Sequence, residues 1–397
     1  MEIIEGSMAS PKGFHASGLH CGIKKKKLDI AWIYSEVPAS VAGVFTTNQV
    51  KAAPVILDKE VIKNGKIQAI IANSGNANAC TGKQGFEDAL SMQKLVARKL
   101  EIDSSLVAVA STGIIGQALP MDKIEQGICD LSKNPENVHG FEKAILTTDT
   151  KEKMITITDT IGGKEVVISA CSKGSGMIHP NMATMLGFVT TDINIDSALL
   201  QEILSELTEV TFNQITVDGD TSTNDMVLIM ANGLAKNNLI VKESTDYQLV
   251  KDLFKFVLTF LAKEIARDGE GATKLIEVTV EGANSSQDAR MLAKSVVGSM
   301  LVKSAIFGHD PNWGRILCSL GYSGISFNPE DVNIELAGIP VFKNGQPIDF
   351  DHKKMQKALV VDEIKIAVQV GSGRHTGKAW GCDLTYDYVK INALYHT

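Results

Sequence analysis

The sequence predicts a mixed α/β protein, and three observations carry that reading. Short apolar runs of strand character alternate with amphipathic helical stretches up to about residue 275. Beyond that point the pattern turns to strands. The composition is that of a folded protein: 397 residues, 44% hydrophobic and 21% charged, with no low-complexity linker and no internal repeat. Such a chain buries a large core, and its length suggests two or three domains.

The elements follow in order. Residues 28–34 and 67–71 read as strands. Residues 86–100 read as a helix, with Phe86, Leu90, Leu95 and Leu100 toward one face. A strand over 166–170 leads into the glycine-rich stretch 173–176. Ser197 is a candidate N-cap for a helix carrying Leu200, Ile203, Leu204 and Leu207. Residues 247–268 form a long helix that Gly269 is placed to end. Residues 276–280 alternate in polarity, residues 332–342 followed by Asn344-Gly345 predict a hairpin, and 364–370 alternate again. The character changes near residues 190 and 275, and no Pro/Gly/Ser linker marks either place.

Charge and spacing exclude several classes. With 39 basic and 46 acidic residues the formal charge is −7, so no nucleic-acid partner is expected. Six scattered cysteines without a CxxC pair read as reduced, mostly buried thiols in a reducing, cytoplasmic compartment. Eight histidines lack HExxH or HxH spacing, so no metal site is expected. Residues 1–18 carry Glu2 and Glu5 and no long apolar stretch, unlike a secretory or transit segment. The most apolar long window, 247–266, is interrupted by Lys251, Asp252, Lys255 and Lys263, which is too charged to span a membrane. The run Lys24 to Lys27 reads as a solvated turn before a strand.

Two glycine-rich stretches fail as phosphate loops. In residues 371–378 the glycine required five places before Gly377 is Ser372, and Lys378 is followed by Ala379 instead of a hydroxyl. Gly174 and Gly176 follow a strand, but the third glycine of a dinucleotide fingerprint falls at His179. There is no GxSxG elbow.

The segment Lys173-Gly-Ser-Gly-Met-Ile-His-Pro-Asn-Met-Ala-Thr184 combines features that packing does not need. A threonine hydroxyl is a poor nucleophile without a neighbouring base. If the chain is cut before Thr184, the freed α-amine, with a pKa of about 8, can take the hydroxyl proton. An N-to-O acyl shift and hydrolysis would make that cut; the alternative is a surface loop entering a strand. Ser111-Thr112-Gly113, at a strand-to-loop junction, could form an oxyanion hole or an ordinary turn. The polar run Asn73-Ser-Gly-Asn-Ala-Asn78 either shapes a loop or lines a site. Residues 217–225 are similar, and their carboxylates do not have EF-hand spacing.

These segments carry a resemblance. Residues 173–187 resemble the signature of the ornithine acetyltransferase family (the ArgJ family of arginine biosynthesis). Gly43 to Asn48, Asn73 to Ala79, Ser111 to Gly116, Thr147-Thr148-Asp149, Gln214 to Asp225, Arg267 to Lys274, Gly308 to Arg315 and Tyr388 to Thr397 match family blocks in order, over nearly the whole chain.

The resemblance implies a layered α-β-β-α arrangement of the DmpA/ArgJ type with a C-terminal β-rich subdomain. It implies self-cleavage between Ala183 and Thr184. That gives an α chain of residues 1–183 and a β chain of 184–397, of which 184–275 complete the core and 276–397 form the subdomain. Thr184 would be the nucleophile, Thr112 and Gly113 the oxyanion hole, and Thr147, Lys173, Thr184, Glu270, Asn392 and Thr397 the substrate contacts. The implied reaction moves acetyl from N2-acetylornithine to glutamate by ping-pong chemistry, which makes the chain a glutamate N-acetyltransferase. No cofactor is implied. Some family members also use acetyl-CoA as donor, and no motif separates the two kinds. An α2β2 assembly is the family pattern.

The chemistry suits these residues. Lys173 can neutralise a carboxylate and Glu270 can receive an ammonium. An acid near a helix C-terminus is disfavoured by the macrodipole, which favours a site role for Glu270. A tail folded into the pocket could offer the Thr397 carboxylate as well as its hydroxyl. His309 and Trp313 read as structural. The competing readings are an aminopeptidase or amidase with the same N-terminal nucleophile, and a binding protein in which Thr184 stays internal.

Overall fold

The computed structural model describes residues 1–179 and 185–394. Two β-sheets and their helices form layers, as expected from the sequence. The first sheet has nine strands. Eight run in the spatial order Glu2–Ile4, Lys153–Ile161, Lys164–Lys173, Leu186–Thr191, Met226–Ala231, Ile30–Phe45, Lys66–Asn76, Val107–Ile114, and Phe14–Leu19 also pairs with Ile30–Phe45. Its centre is buried on both faces. Every residue of Leu186–Thr191 and Met226–Ala231 is buried, and these two strands pair in parallel. A strand covered on both faces needs no polar alternation, so Met226–Ala231 reads as an unbroken apolar run. The strand expected over 28–34 continues to Phe45, with a register shift between Tyr34 and Ala39 where Pro38 interrupts the ladder.

Helices cover both faces. On one side Ala53–Val61, Gly82–Leu100 and Met121–Asp130 pack through Val55, Met92, Val96, Ile124 and Ile128. On the other lie Ser197–Val210 and Tyr247–Arg267. The latter buries Val250, Leu253, Phe254, Val257, Leu258, Leu261 and Ile265, the three-four spacing of one helical face. Each large aliphatic so buried contributes about 1.5–3 kcal/mol relative to exposure. The cap expected at Ser197 is one residue earlier. Asp196 has extended backbone and its carboxylate accepts the Leu199 N–H at 2.9 Å, while Ser197 is the first helical residue.

The second sheet has seven strands, in the order Gln346–Pro347, Ile339–Lys343, Asn333–Leu336, Glu363–Gln369, Leu275–Ala283, His375–Cys382, Ile215–Thr216. Helices Ser286–Gly298, Met300–Phe307 and Trp313–Gly321 cover one face of it. The expected strand 332–342 is divided. Ala337 and Gly338 both have positive φ, 51° and 75°, and turn the chain, so Asn333–Leu336 and Ile339–Lys343 form a hairpin. Asn344-Gly345 does make a turn, between Lys343 and Gln346.

Two further expectations are corrected. All six cysteines are free, but only Cys171 and Cys382 are buried; Cys80, Cys129 and Cys318 are exposed and Cys21 is intermediate. Lys24 does not belong to a solvated turn. Its Nζ donates to the carbonyls of Leu146 at 2.8 Å and Ala144 at 3.3 Å, and burial lowers its pKa to about 8. Among the described residues no helix is long and apolar enough to cross a membrane, and no cluster of His, Cys, Asp and Glu could hold a metal ion.

Candidate functional site

Strand Val107–Ile114 runs parallel to Lys66–Asn76, and their register shifts at Gly75 and Asn76, opposite Thr112 and Gly113. Gly113 has φ +133°, and a Cβ there would lie 2.4 Å from the Gly75 carbonyl carbon. Only glycine fits. The polar run 73–78 shapes this junction. Asn73 Oδ1 accepts from Ser111 Oγ at 2.6 Å, Asn73 Nδ2 donates to Asn76 O at 2.9 Å, and Asn78 Nδ2 donates to Gly85 O at 2.8 Å. Asn224, from the other polar run, donates its Nδ2 to Ser111 O at 2.8 Å and Ala77 O at 2.5 Å. The buried amides thus hold Thr112 and Gly113 in place.

Lys173 ends the strand Lys164–Lys173 and is buried. Its Nζ lies 3.4 Å from Thr112 Oγ1, to which it donates. Behind it runs a buried ionic network. Asp149 accepts from Lys153 Nζ at 2.6 Å, from Gly174 N at 2.7 Å and from Thr147 N at 2.9 Å. Lys153 also donates to Asp268 at 2.5 Å. The Asp268 carboxylate receives the Thr150 backbone N–H at 3.1 Å and the Thr150 hydroxyl.

Burial lowers the Lys173 pKa; Asp149, Asp225 and Glu270 act against that, and Lys153 adds to it. Burial also opposes ionisation of Asp149, but Lys173 and Lys153 outweigh it and hold the carboxyl well below the usual range. Asp225 behaves oppositely. Burial pushes it well above the carboxylate range despite Ser222, Lys173 and Thr46, and among the described residues its Oδ2 has no hydrogen-bond partner. Burial thus works against charge on Asp225, while the two lysines favour charge on Asp149.

The third segment follows the long helix. Glu270 N donates to Ser175 O at 3.0 Å, and Ser175 Oγ to Asp268 O at 2.7 Å. A Cβ on Gly176 would sit 2.4 Å from the Glu270 carboxyl carbon, so the loop packs directly against this carboxylate. Asn392 Nδ2, on the helix Tyr386–Leu394, donates to Glu270 Oε2 at 2.8 Å. Asp218 accepts the Met177 and Ile178 N–H groups at 2.6 and 2.8 Å, so it pins the loop backbone. His179 Nδ1 lies 2.9 Å from Thr216 Oγ1, and burial, then Lys294, lowers its pKa to about 4.

These segments enclose a cavity of about 160 Å³. Thr112, Gly113, Thr147, Lys173, Glu270 and Asn392 all line it, with Ala77, Thr148, Gly176, Met177, Thr223 and Asn224 among their neighbours. Six of the sequence-derived site residues, spread over 280 positions from Thr112 to Asn392, therefore meet at one place. Ala183, Thr184 and Thr397 lie outside the described residues. The lining offers an ammonium from Lys173 and a carboxylate from Glu270, with the glycine-bearing strand end at Gly113. Such a cavity suits a small molecule with both charges. Sequence reasoning missed Asn224, Lys153 and Asp268. Asn224 and Asp268 stand as polar residues inside conspicuous blocks and Lys153 stands in none, and what they hold depends on partners more than a hundred residues away.

The sequence matches the ArgJ family over residues 15–397. It is 57% identical over 398 residues to the arginine biosynthesis bifunctional protein ArgJ of Staphylococcus epidermidis and 56% identical to that of Streptococcus thermophilus, with 100% of both chains covered in each case. A crystal structure of the arginine biosynthesis bifunctional protein argJ from Bacillus halodurans is 54% identical with a TM-score of 0.53. It covers 53% of this chain and 100% of its own. The match runs through every block that builds the cavity, and the chain belongs to the ArgJ family.

Proposed function

We propose that the protein is a self-processing acetyltransferase of arginine biosynthesis. It moves acetyl from N2-acetylornithine to glutamate through an ester on Thr184. The observation that carries this is the convergence of Thr112, Gly113, Thr147, Lys173, Glu270 and Asn392 on one cavity. The reading takes the chain to be cut between Ala183 and Thr184. Residues 1–183 then form one product and 184–397 the other, with 184–275 completing the core and 276–397 the β-rich subdomain. The Bacillus halodurans chain supports a cut: 53% of this sequence accounts for all of it, about the share that lies C-terminal to Ala183.

In the first half-reaction the Thr184 hydroxyl attacks the acetyl carbonyl and passes its proton to the freed α-amine. Thr112 and Gly113 stabilise the oxyanion. The C–N bond breaks, ornithine leaves with a proton on its nitrogen, and acetyl stays as an ester. In the second half the glutamate amine attacks that ester, the C–O bond breaks, and the proton returns to the hydroxyl. Lys173 holds the substrate carboxylate and Glu270 the ammonium of the donor's side chain. Thr147, Asn392 and Thr397 complete the contacts. No cofactor enters; acetyl-CoA is a second donor in the bifunctional form of the reaction. The enzyme works in the cytoplasm as an α2β2 assembly of its cleaved chains.

Thr184→Ala tests the proposal. The variant should remain one intact chain by mass spectrometry and transfer no acetyl. A variant still cut at 183/184, or still active, would refute it.

A further inference from the structure

A second concavity, about 600 Å³, lies away from the first and shares no lining residue with it. One wall is the face of helix Tyr247–Arg267 that carries Lys255, Thr259 and Lys263, each four residues on from the last and so aligned. The lining also includes Ser286 and Arg290, from the first two turns of helix Ser286–Gly298, and Thr376 and Lys378 of strand His375–Cys382. Gly377 makes that approach possible, since a Cβ there would lie 2.4 Å from Arg290 N. Val210 and Trp380 add apolar surface.

Four cationic side chains thus face one groove on a chain whose net charge is −7. Its one acidic lining residue, Glu277, is already engaged. Oε2 takes Lys263 at 3.0 Å and the Trp380 indole at 2.7 Å, and Oε1 takes Lys378 at 3.2 Å. Among the described residues neither Lys255 nor Arg290 has an ion-pair partner. Like charges held around one groove repel, and a bound anion relieves that repulsion.

We propose that this groove binds a small organic phosphate, with Arg290 and Lys255 as the charged contacts and the hydroxyls of Thr259 and Thr376 as further donors. A guanidinium fork flanked by ammonium groups and hydroxyls is the donor set that phosphate oxygens require. The volume lies in the range of small-molecule sites, about 300–1,000 Å³.

Calorimetric titration with inorganic pyrophosphate tests this on the whole processed protein. Saturable binding at one site per chain is expected. It should weaken at least tenfold in the double variant Lys255→Gln/Arg290→Gln, and stay unchanged in the control Lys353→Gln/Lys357→Gln, which removes the same charge elsewhere. Absence of saturable binding at millimolar pyrophosphate overturns the site. So does equal weakening in both variants, which marks a general charge effect. Citrate binding in place of pyrophosphate overturns the phosphate assignment. None of these outcomes depends on acetyl transfer, so failure here leaves the first cavity's function untouched.

Discussion

At the scale of single residues the cavity is held by groups with no room for exchange. Gly113 combines positive φ with a backbone neighbour 2.4 Å from where a Cβ would be. Gly113→Ala should therefore displace the strand end and lower kcat/KM for acetyl transfer by about 10²–10³-fold, the usual effect of losing an oxyanion donor, as steady-state kinetics with N-acetylornithine would read. Asp149 sits under both Lys173 and Lys153. Breaking one side of such a buried network costs about 3–5 kcal/mol, so Asp149→Asn should unfold at markedly lower urea. It has a functional signature as well. Asp149 favours the charged form of Lys173, so its removal lowers the Lys173 pKa further. The rise in KM for N-acetylornithine as Lys173 loses its proton should begin at lower pH than in the wild type. An unshifted KM profile would mean that Lys173 does not carry the substrate carboxylate. The blocks holding Thr112, Lys173 and Glu270 were legible in the sequence because their residue types are chemically conspicuous. Asp149 stood in a matched block with no role read for it, and Lys153 in no block, because their importance lies in being buried together.

Among the elements, junctions carry more information than interiors. Glu277 on strand Leu275–Ala283 ties that strand to helix Tyr247–Arg267 through Lys263 and to strand His375–Cys382 through Trp380 and Lys378. Burial opposes its charge, but these donors outweigh it and bring the pKa from 4.5 down to about 2. A depressed carboxylate stabilises the fold above its unfolded pKa, and that stability is lost as pH falls from 4.5 toward 2. The stability gap between the wild type and Glu277→Gln, measured in urea, should be largest at pH 7 and narrow progressively as pH falls below 4.5; a gap independent of pH would discount the ionic tie. The amphipathic helices over 86–100 and 247–268 were readable because one face repeats at the helical period. The division of 332–342 was hidden, since Ala337-Gly338 turns within a run of strand-forming residues, and Ala at φ 51° is not a turn signal by composition.

For the whole molecule, topology decides what a cut can do. In the first sheet Leu186–Thr191 and Met226–Ala231 stand between Lys164–Lys173 and Ile30–Phe45. Strands from beyond the Ala183–Thr184 bond are thus hydrogen-bonded on both sides to strands from before it. A chain cut there should run as one particle in native gel filtration and part into two pieces only in denaturant; separation under native conditions would contradict the interleaving. The sequence alone determined the mixed α/β class, the amphipathic helices and the residue types of the cavity, because these depend on local periodicity and on chemistry written into each side chain. Only the tertiary structure decided which residues meet: Lys173 against Asp149, Glu270 against Gly176 and Asn392, and Arg290 beside Lys378. Those encounters depend on strand order and parallel pairing between distant segments, and nothing in a local run of residues encodes that.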